Sequence, residues 1–338
     1  MLTPKLIQDT TPQSILISEA IADKSRAKAF GITPENAEAN IHQRWDLLKL
    51  IYPAFKDLCQ STLQIEPNTI LPALWDLWLP LAMQIAWRYQ ENQRPFIQGI
   101  LGGQGTGKTT TCKVLNLILS HLKYRTLSLS IDDLYKTYQA RLILQQQDPR
   151  LIWRGPPGTH DVDLGLNLLD NICQRQTTIT VPRFDKSLHS GNGDRINPET
   201  VENIDIVLFE GWFVGIQPIN STAFNTPPLP IITPEDKAFA LDMNDKLHDY
   251  LPLWQRLDSL IVLYPTDYRL SLEWRKQAEH QMKASGKPGM TDLQIEEFVN
   301  YFWKALHPEL FIKPLIESPS VDLVIEINSN HSFGKVIS

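Results

Sequence analysis

The sequence feature that most constrains the fold is the segment GGQGTGKT at residues 102–109, which fits the pattern G-x-x-x-x-G-K-[ST]. It follows a short apolar run, FIQGIL, and precedes a helix-compatible stretch, TTTCKVLNLILSHL. Glycines at these places let the backbone curl so that successive N–H groups point at an anion, and the start of the next helix adds positive potential. A strand, a phosphate-binding loop and a helix in this order predict an α/β nucleotide-binding fold.

The same segment predicts which residues contact the nucleotide. A chance match is expected in roughly one random chain in a hundred, since glycine makes up about 7% of residues. The rival dinucleotide fingerprint G-x-G-x-x-G is not met, because Lys108 stands where its last glycine should be. We expect ATP and Mg²⁺ here, with Lys108 on the β- and γ-phosphates and the Thr109 hydroxyl on the metal. The predicted ATP-binding residues of this segment are Gly102, Gly103, Gln104, Gly105, Thr106, Gly107, Lys108, Thr109 and Thr110.

Apolar runs alternate with helix-compatible segments from residue 95 onward. The runs are continuous in Val, Ile and Leu, as expected for strands buried on both faces of a parallel sheet. The candidate strands are 96–101, 126–131, 204–209, 259–264 and 322–327. We therefore predict a P-loop NTPase fold over residues 95–338, with a mainly parallel sheet flanked by helices.

The first 94 residues show no strand pattern and predict a helical N-terminal segment. Thr33 followed by Pro34 predicts a helix start, because a hydroxyl can cap the helix and proline suits its first turn. One apolar stripe at helical spacing follows, formed by Ile41, Trp45, Leu48, Tyr52 and Phe55. We interpret this stripe as core.

Composition limits the partners of the 338-residue chain. The formal net charge is -6 and no dense block of Lys and Arg occurs, so neither nucleic acid nor an anionic membrane is expected. The most membrane-like stretch, 70–87, is interrupted by proline, aspartate and glutamine, and no signal-peptide pattern opens the sequence. Three widely spaced cysteines fit a reducing compartment. We expect a cytoplasmic protein that acts on a small molecule, and the sequence sets no oligomeric state.

Two acidic segments follow candidate strands and predict catalytic carboxylates. Glu210 ends the apolar run IDIVLFE and is expected to serve Mg²⁺ directly or through water. Asp132 ends the second strand in SIDDLY, where ligands of open α/β sheets lie. A carboxylate there can take the proton of an attacking hydroxyl, a role worth roughly 10²–10⁴ in rate. Asp133 competes for that role, but it can instead cap the following helix.

LSLSIDDLY and VLFEGW resemble the phosphoribulokinase, uridine kinase and pantothenate kinase superfamily of P-loop kinases. Within it, the segments RGPPGTHD, VPRFDKSLHSGNGDR, MNDKLHDYLPLWQRLDSLIVL and WRKQAEHQMKASGKPGMTD resemble the D-glycerate 3-kinases of the plant and cyanobacterial type. The likeness covers about residues 95–310. It implies ATP-dependent phosphorylation of D-glycerate to 3-phosphoglycerate, with Lys108, Asp132 and Glu210 catalytic. It also implies that Asp161 accepts a hydrogen bond from a substrate hydroxyl.

Glycerate carries a carboxylate and two hydroxyls, so its pocket needs a cation and hydrogen-bonding groups. Residues 154–195 read as loops rich in Gly and Pro that supply both, and the arginine fork suits a planar carboxylate. His160 and His189 do not predict a metal site, because no third ligand has suitable spacing. The predicted substrate-binding residues are Arg154, His160, Asp161, Arg183, Lys186 and Arg195, and their sequence leaves open which arginine binds the carboxylate.

Residues 267–292 predict a lid, in which a basic helix and a loop precede a capping box of Thr291 and Gln294 that restarts a helix. A closed lid would exclude water, so that ATP is donated and not hydrolysed. Its cations are Arg269, Arg275, Lys276, Lys283 and Lys287, of which Arg275 is predicted to contact ATP. A solvated basic helix is the alternative. For function, the alternatives are a P-loop kinase of a nucleoside, pantothenate or a sugar, and an ATP-binding regulator without catalysis.

Overall fold

The computed structural model describes residues 14–284, 286 and 289–338. Its strands are β1 (Phe96–Gly102), β2 (Thr126–Ser130), β3 (Thr178–Asp185), β4 (Asp194–Glu202), β5 (Ile206–Gly211), β6 (Ser259–Pro265), β7 (Leu323–Ile327) and β8 (Phe333–Ile337). Six of them form one sheet in the order β2-β5-β1-β6-β7-β8, which is parallel except for β8. The five predicted parallel strands are confirmed, each to within two residues.

Helices connect these strands and cover both faces of the sheet. They are α1 (Ser14–Ala22), α2 (Lys24–Ala29), α3 (Ala37–Leu58), α4 (Pro67–Ala73), α5 (Leu79–Asn92), α6 (Lys108–His121), α7 (Tyr138–Gln147), α8 (Val162–Cys173), α9 (Pro234–Lys246), α10 (Leu251–Trp254), α11 (Leu270–Ala284), α12 (Asp292–Ala305) and α13 (Pro308–Ile316). The predicted helix start at Thr33 is wrong by several residues. A turn occupies residues 34–36 and the helix begins at Ala37; the Asn36 side-chain oxygen accepts from the Thr33 N–H at 2.8 Å across this turn.

The N-terminal helices share one core with the face of the sheet that carries Phe96 and Ile100. Four members of the predicted apolar stripe are buried, and Trp78 of this layer donates an indole hydrogen bond to Thr111 of α6, at 3.3 Å. The alternate side chains of β1, including Ile97 and Leu101, lie on the other face of the sheet and belong to a second core under α8, α9 and α13. Helix α6, which follows the phosphate loop, is therefore packed directly on the N-terminal helices. A domain boundary at residue 94 stays a prediction.

The continuous helical stretch Pro67–Asn92 has the length and apolarity of a membrane span, with a mean hydropathy of 1.3 in its most apolar window. In the structure, 61% of that window is buried. Leu74, Leu77, Trp78 and Leu81 lie in the core shared with the sheet. A core helix meets the same criteria, and the burial accounts for the apolar composition.

Residues 178–202 form an antiparallel hairpin of β3 and β4, so the expectation that residues 154–195 are loops is wrong for this part. The hairpin was missed because most side chains of β4 are exposed, and Pro182 and Pro198 interrupt the pattern. Only Ile179 and Val181 of β3 alternate as buried strand residues should. Two predicted substrate cations, Arg183 and Arg195, therefore lie on paired strands.

Helix α2 lies along β8, which is the outer strand of the main sheet. Arg26 donates to the carbonyl oxygen of Gly334 at 2.7 Å, and Lys28 donates to the carbonyl oxygen of Ser338 at 2.7 Å. The Ser25 hydroxyl bonds to the carbonyl between them, that of residue 336. The edge of the sheet is thus covered by a short helix.

Candidate active site

The phosphate loop joins β1 to α6 at the centre of the sheet. Gly105 and Gly107 have φ angles of 78° and 84°, which residues other than glycine rarely adopt. The Thr106 hydroxyl donates to the Gly103 carbonyl oxygen at 2.9 Å, and the Lys108 ammonium donates to the same oxygen at 3.0 Å. Among the described residues, Lys108 forms no ion pair with a carboxylate. Its charge is therefore held at the loop and is available to phosphate oxygens.

Glu210 occupies the end of β5, opposite Ile100 of β1 and Ser130 of β2. Burial raises the pKa of its carboxyl and the nearby Lys108 ammonium opposes this, while Asp132 adds to the rise. Burial likewise lowers the pKa of Lys108, and Glu210 and Asp132 oppose it. Burial outweighs the nearby lysines at this carboxylate, and a divalent cation would supply further positive charge that favours its ionised form. The oxygen of Glu210, with the exposed Thr109 at the start of α6, suits Mg²⁺ as a donor set.

The paired acids Asp132 and Asp133 have different surroundings in a 3₁₀ turn at Ile131–Leu134. Asp133 accepts from the backbone N–H of Ser130 at 3.0 Å, as part of a capping box, and pairs with Arg183 at 3.0 Å. Its side chain is therefore committed to the turn. Asp133 therefore has the capping role that the sequence left open as its alternative.

Asp132 faces the phosphate loop and pairs with Lys186, whose ammonium lies 2.6 Å from its carboxylate. Burial alone would raise the pKa of Asp132, but the Lys186 ammonium and a hydrogen bond from the Tyr135 hydroxyl outweigh burial and hold the pKa below its usual range. The carboxylate is thus ionised at neutral pH and able to accept a proton. Its charge also acts on the pKa values of Lys108 and Glu210, so these three groups share one site.

Other predicted substrate residues are already paired with carboxylates. Arg183 bonds to Glu199 at 2.6 Å in addition to Asp133, and Arg195 bonds to Asp161 at 2.9 Å. Asp161 also caps α8 by accepting from the Leu164 N–H at 3.1 Å. The Arg195 pair and the helix cap hold the pKa of Asp161 down, although burial opposes them. The role of Asp161 toward a substrate hydroxyl stays a prediction.

His160 is buried and stacks on the Tyr135 ring, with 4.5 Å between the ring centroids. The Gly158 N–H donates to the Tyr250 oxygen at 2.8 Å, and the Tyr250 hydroxyl lies 2.8 Å from His160 Nδ1. When the Tyr250 hydroxyl donates to Nδ1, the ring proton lies on Nε2. Burial lowers the pKa of His160 to about 3, so the imidazole is neutral. Its Nε2 is buried and has no hydrogen-bond partner among the described residues.

Arg154 differs from the other predicted cations because it pairs with no carboxylate of the described residues and donates instead to the Gly191 carbonyl oxygen, at 2.6 Å. Its guanidinium lies over the Phe184 and Tyr135 rings. Arg141 of α7 lies over the same two rings and was missed by the sequence reasoning. No local pattern marks it, since its neighbours are supplied by the hairpin some fifty positions later.

The predicted lid contains α11, which touches the phosphate loop. A Cβ on Gly105 would lie 2.7 Å from the Cβ of Trp274, and His331 bonds to the Gly105 carbonyl oxygen at 3.1 Å. The capping box of Thr291 and Gln294 is confirmed. Arg269 and Lys276 pair with acids of the segment and of α12, and Arg275 pairs with the buried Glu279 at 3.0 Å. Lys287 lies outside the described residues, and the contact of Arg275 with ATP stays a prediction.

Two cavities border the described elements. One of 320 Å³ is lined by Trp254, Ser259 and Asp322, at the amino end of β6 and thus remote from the phosphate loop. A smaller one of 40 Å³ lies between α7 and the loop after it, and Arg141 and Arg154 line it. The smaller cavity adjoins the site, because Arg154 contacts Tyr135, which bonds to the carboxylate of Asp132. No group of three His, Cys, Asp or Glu side chains in the described parts of the chain is arranged to hold a metal by itself.

A phosphate loop after the central strand, an acid on the neighbouring strand and a second acid facing both define a P-loop kinase. No family model matches the chain. It is 34% identical over 221 residues to the "Uncharacterized kinase mug58" of Schizosaccharomyces pombe, spanning 62% of this chain and 79% of that protein. It is 28% identical over 341 residues to the chloroplastic D-glycerate 3-kinase of Arabidopsis thaliana, spanning 93% of this chain and 71% of that one.

A solved D-glycerate 3-kinase from Cryptococcus neoformans var. grubii has the same fold, with a TM-score of 0.69 and 27% identity over 78% of this chain and 99% of that chain. The chain therefore belongs to the family of P-loop kinases that includes mug58 and these D-glycerate 3-kinases. The predicted fold class, the kinase class and the resemblance are confirmed.

Proposed function

We propose that this protein transfers the γ-phosphoryl group of ATP to the 3-hydroxyl of D-glycerate, giving 3-phosphoglycerate and ADP. The family supports this substrate, since two relatives that match most of the chain are named D-glycerate 3-kinase. The observation that carries the proposal is the ionised Asp132 beside the phosphate-loop lysine, because a kinase needs a proton acceptor where the transferring group lies.

Asp132 acts as the general base in this proposal. Its carboxylate takes the proton as the substrate oxygen forms a bond to the γ-phosphorus, and the bond from that phosphorus to the bridging oxygen of ADP breaks. Lys108 stabilises negative charge on the transferring group. The loop from Gly102 to Thr110 holds the phosphates, and Arg275 of the lid adds a further cation. Mg²⁺, held by Thr109 and Glu210, would neutralise charge on the phosphate oxygens.

The substrate lies, in this proposal, among the side chains between Asp132 and the β3–β4 hairpin. The neutral His160 supplies an N–H donor, and the charged groups come from among those predicted from the sequence. The Lys186 ammonium lies on one carboxylate oxygen of Asp132, so a substrate hydroxyl that binds that oxygen has to displace the ammonium. Entry of an anionic substrate favours that exchange, since it offers Lys186 a second partner.

Steady-state ADP release with a panel of acceptors tests the proposal. D-glycerate, uridine, pantothenate and fructose are each offered with ATP and Mg²⁺, and the product of the active pair is located by ³¹P NMR. We expect turnover with D-glycerate and phosphorylation at O3. Turnover with another acceptor and silence with D-glycerate would reject the substrate, and an ATPase background that no acceptor raises would favour a regulator.

A further inference from the structure

Several cations around the site are already neutralised by carboxylates, and this separates the paired arginines from two other arginines that have no such pair. Lys186, Arg183 and Arg195 each form an ion pair with an acid. In contrast, Arg141 and Arg154 form no ion pair with any carboxylate of residues 14–284, 286 and 289–338. An unpaired guanidinium in a partly buried place is costly unless an anion arrives there.

Both unpaired arginines are held in place by the turn of the β3–β4 hairpin. Arg154 donates to the Gly191 carbonyl oxygen at 2.6 Å, and Arg141 donates to the Asn192 oxygen at 2.9 Å and to the Gly193 oxygen. These bonds orient the two forks but leave their charges uncompensated. Each fork has five N–H donors, so donors remain for a ligand. One of them, Arg141 Nε, is buried and has no partner among the described residues.

The Tyr135 and Phe184 rings bring the two guanidiniums together. Their central carbons lie 5.9 and 6.0 Å from the centroid of Tyr135, and 5.2 and 5.7 Å from that of Phe184. Aromatic faces tolerate such charges but do not neutralise them. The proximity of Arg154 adds to burial in lowering the pKa of Arg141, as expected for like charges held side by side. Asp194 acts on Arg141 from a distance, but its oxygens already accept from two backbone N–H groups and His189.

The same tyrosine connects this pair to the catalytic base. Its hydroxyl bonds to Asp132, and His160 stacks on its ring with an unpartnered, fully buried Nε2. A ligand beside Tyr135 therefore meets two positive forks and a neutral N–H donor near the group that accepts the proton. A short chain with a carboxylate at one end and a hydroxyl at the other matches this order of groups.

We propose that Arg141 and Arg154 together form the receptor for the substrate carboxylate, which selects a small hydroxy acid over neutral acceptors and directs its hydroxyl to Asp132. This inference rests on the proposed function and names the groups that set its substrate class. Arg183 and Arg195 then maintain the turn and the helix cap, and Lys186 acts on the base.

The test compares Arg141→Met and Arg154→Met with Arg256→Met, in which a remote arginine paired with Asp170 is lost. Turnover is measured with D-glycerate and with its neutral amide, glyceramide. We expect kcat/KM for D-glycerate to fall roughly 10- to 100-fold in each of the first two variants, the loss typical of a charge-assisted hydrogen bond, with KM for ATP unchanged. The preference for the acid over the amide should shrink by the same factor. The Arg256→Met variant should match the wild type.

A further variant and a binding measurement separate a failed receptor from a failed fold or substrate. Arg154→Lys keeps the charge but loses the fork, so it should lie between Arg154→Met and the wild type. Thermal unfolding checks that the hairpin turn survives. If D-glycerate binding by calorimetry and its kcat/KM stay within about twofold of wild type in both Met variants, the receptor is wrong while the kinase stands. If the wild type neither binds nor phosphorylates D-glycerate, both proposals fall.

Discussion

Replacing Asp132 by asparagine tests the chemistry most directly, because it removes the proton acceptor and keeps the shape. A general base contributes roughly 10²–10⁴ in rate. The Lys186 ammonium at 2.6 Å and the Tyr135 hydroxyl hold the pKa of Asp132 low, and a carboxylate of low pKa is a weak acceptor for an alcohol proton. We therefore expect the lower end of the range, a fall in kcat of about 100-fold, or about 2.7 kcal/mol in activation free energy.

ATP affinity separates this loss from damage to the site. The Asp132→Asn change removes one negative charge near Glu210 and the phosphate loop, so ATP should bind as well as before or slightly better. Single-turnover phosphoryl transfer and calorimetric ATP binding measure the two quantities. A kcat close to that of wild type would show that another group takes the proton, and a parallel loss of ATP binding would show a structural defect.

The adjacent acid provides a matched control. Asp133→Asn removes the ion pair with Arg183 but leaves an oxygen for the Ser130 N–H. We expect a loss of about 1 kcal/mol in the free energy of unfolding, as for a partly exposed pair, measured by urea denaturation. Its kcat should stay within about threefold of wild type. If the two variants exchanged these effects, the assignment of roles within the pair would be reversed.

Three further changes probe the neighbouring groups. In Lys186→Met, burial is offset less and the pKa of Asp132 rises, so the acid limb of kcat/KM for D-glycerate should move to higher pH; a profile that superimposes on the wild type would exclude this. Gly105→Ala combines a φ of 78° with a Cβ 2.7 Å from that of Trp274 and should cost about 2 kcal/mol or more by urea denaturation, with weaker ATP binding. Glu210→Gln should raise the Mg²⁺ concentration for half-maximal rate roughly tenfold or more, and an unchanged Mg²⁺ titration would remove Glu210 from the metal.

The sequence predicted the parts of the molecule whose residues act locally. The central strands were recognisable because burial on both faces requires continuous apolar runs, and the phosphate loop because its glycines and Lys108 stand at fixed offsets. The hairpin of β3 and β4 has neither property, since β4 is largely exposed and β3 is only partly buried. Burial pattern alone therefore cannot find such an element.

Groups whose meaning comes from distant partners were beyond sequence reasoning. Asp132 and Asp133 look equivalent along the chain, and only the bonds to Ser130 and Arg183 distinguish them. In the sequence, Arg141 is one of several polar residues of a helix. Only the folded structure brings the hairpin turn into contact with its guanidinium. Whether a cation pairs with an acid depends on the tertiary structure. Of the predicted substrate cations, Arg183, Lys186 and Arg195 are paired with acids, whereas Arg154 has no such pair among the described residues.

The contact between α2 and β8 protects the edge of the sheet from pairing with a strand of another molecule. Side chains of α2 donate to the carbonyl oxygens of residues 334, 336 and 338. Every second residue of an outer strand points its peptide groups away from the sheet, and these three residues have that spacing. Those groups would otherwise be a template for a strand from another molecule. Trimming the chain past α2 should therefore leave the catalytic groups intact and yet open the way to edge-to-edge aggregation.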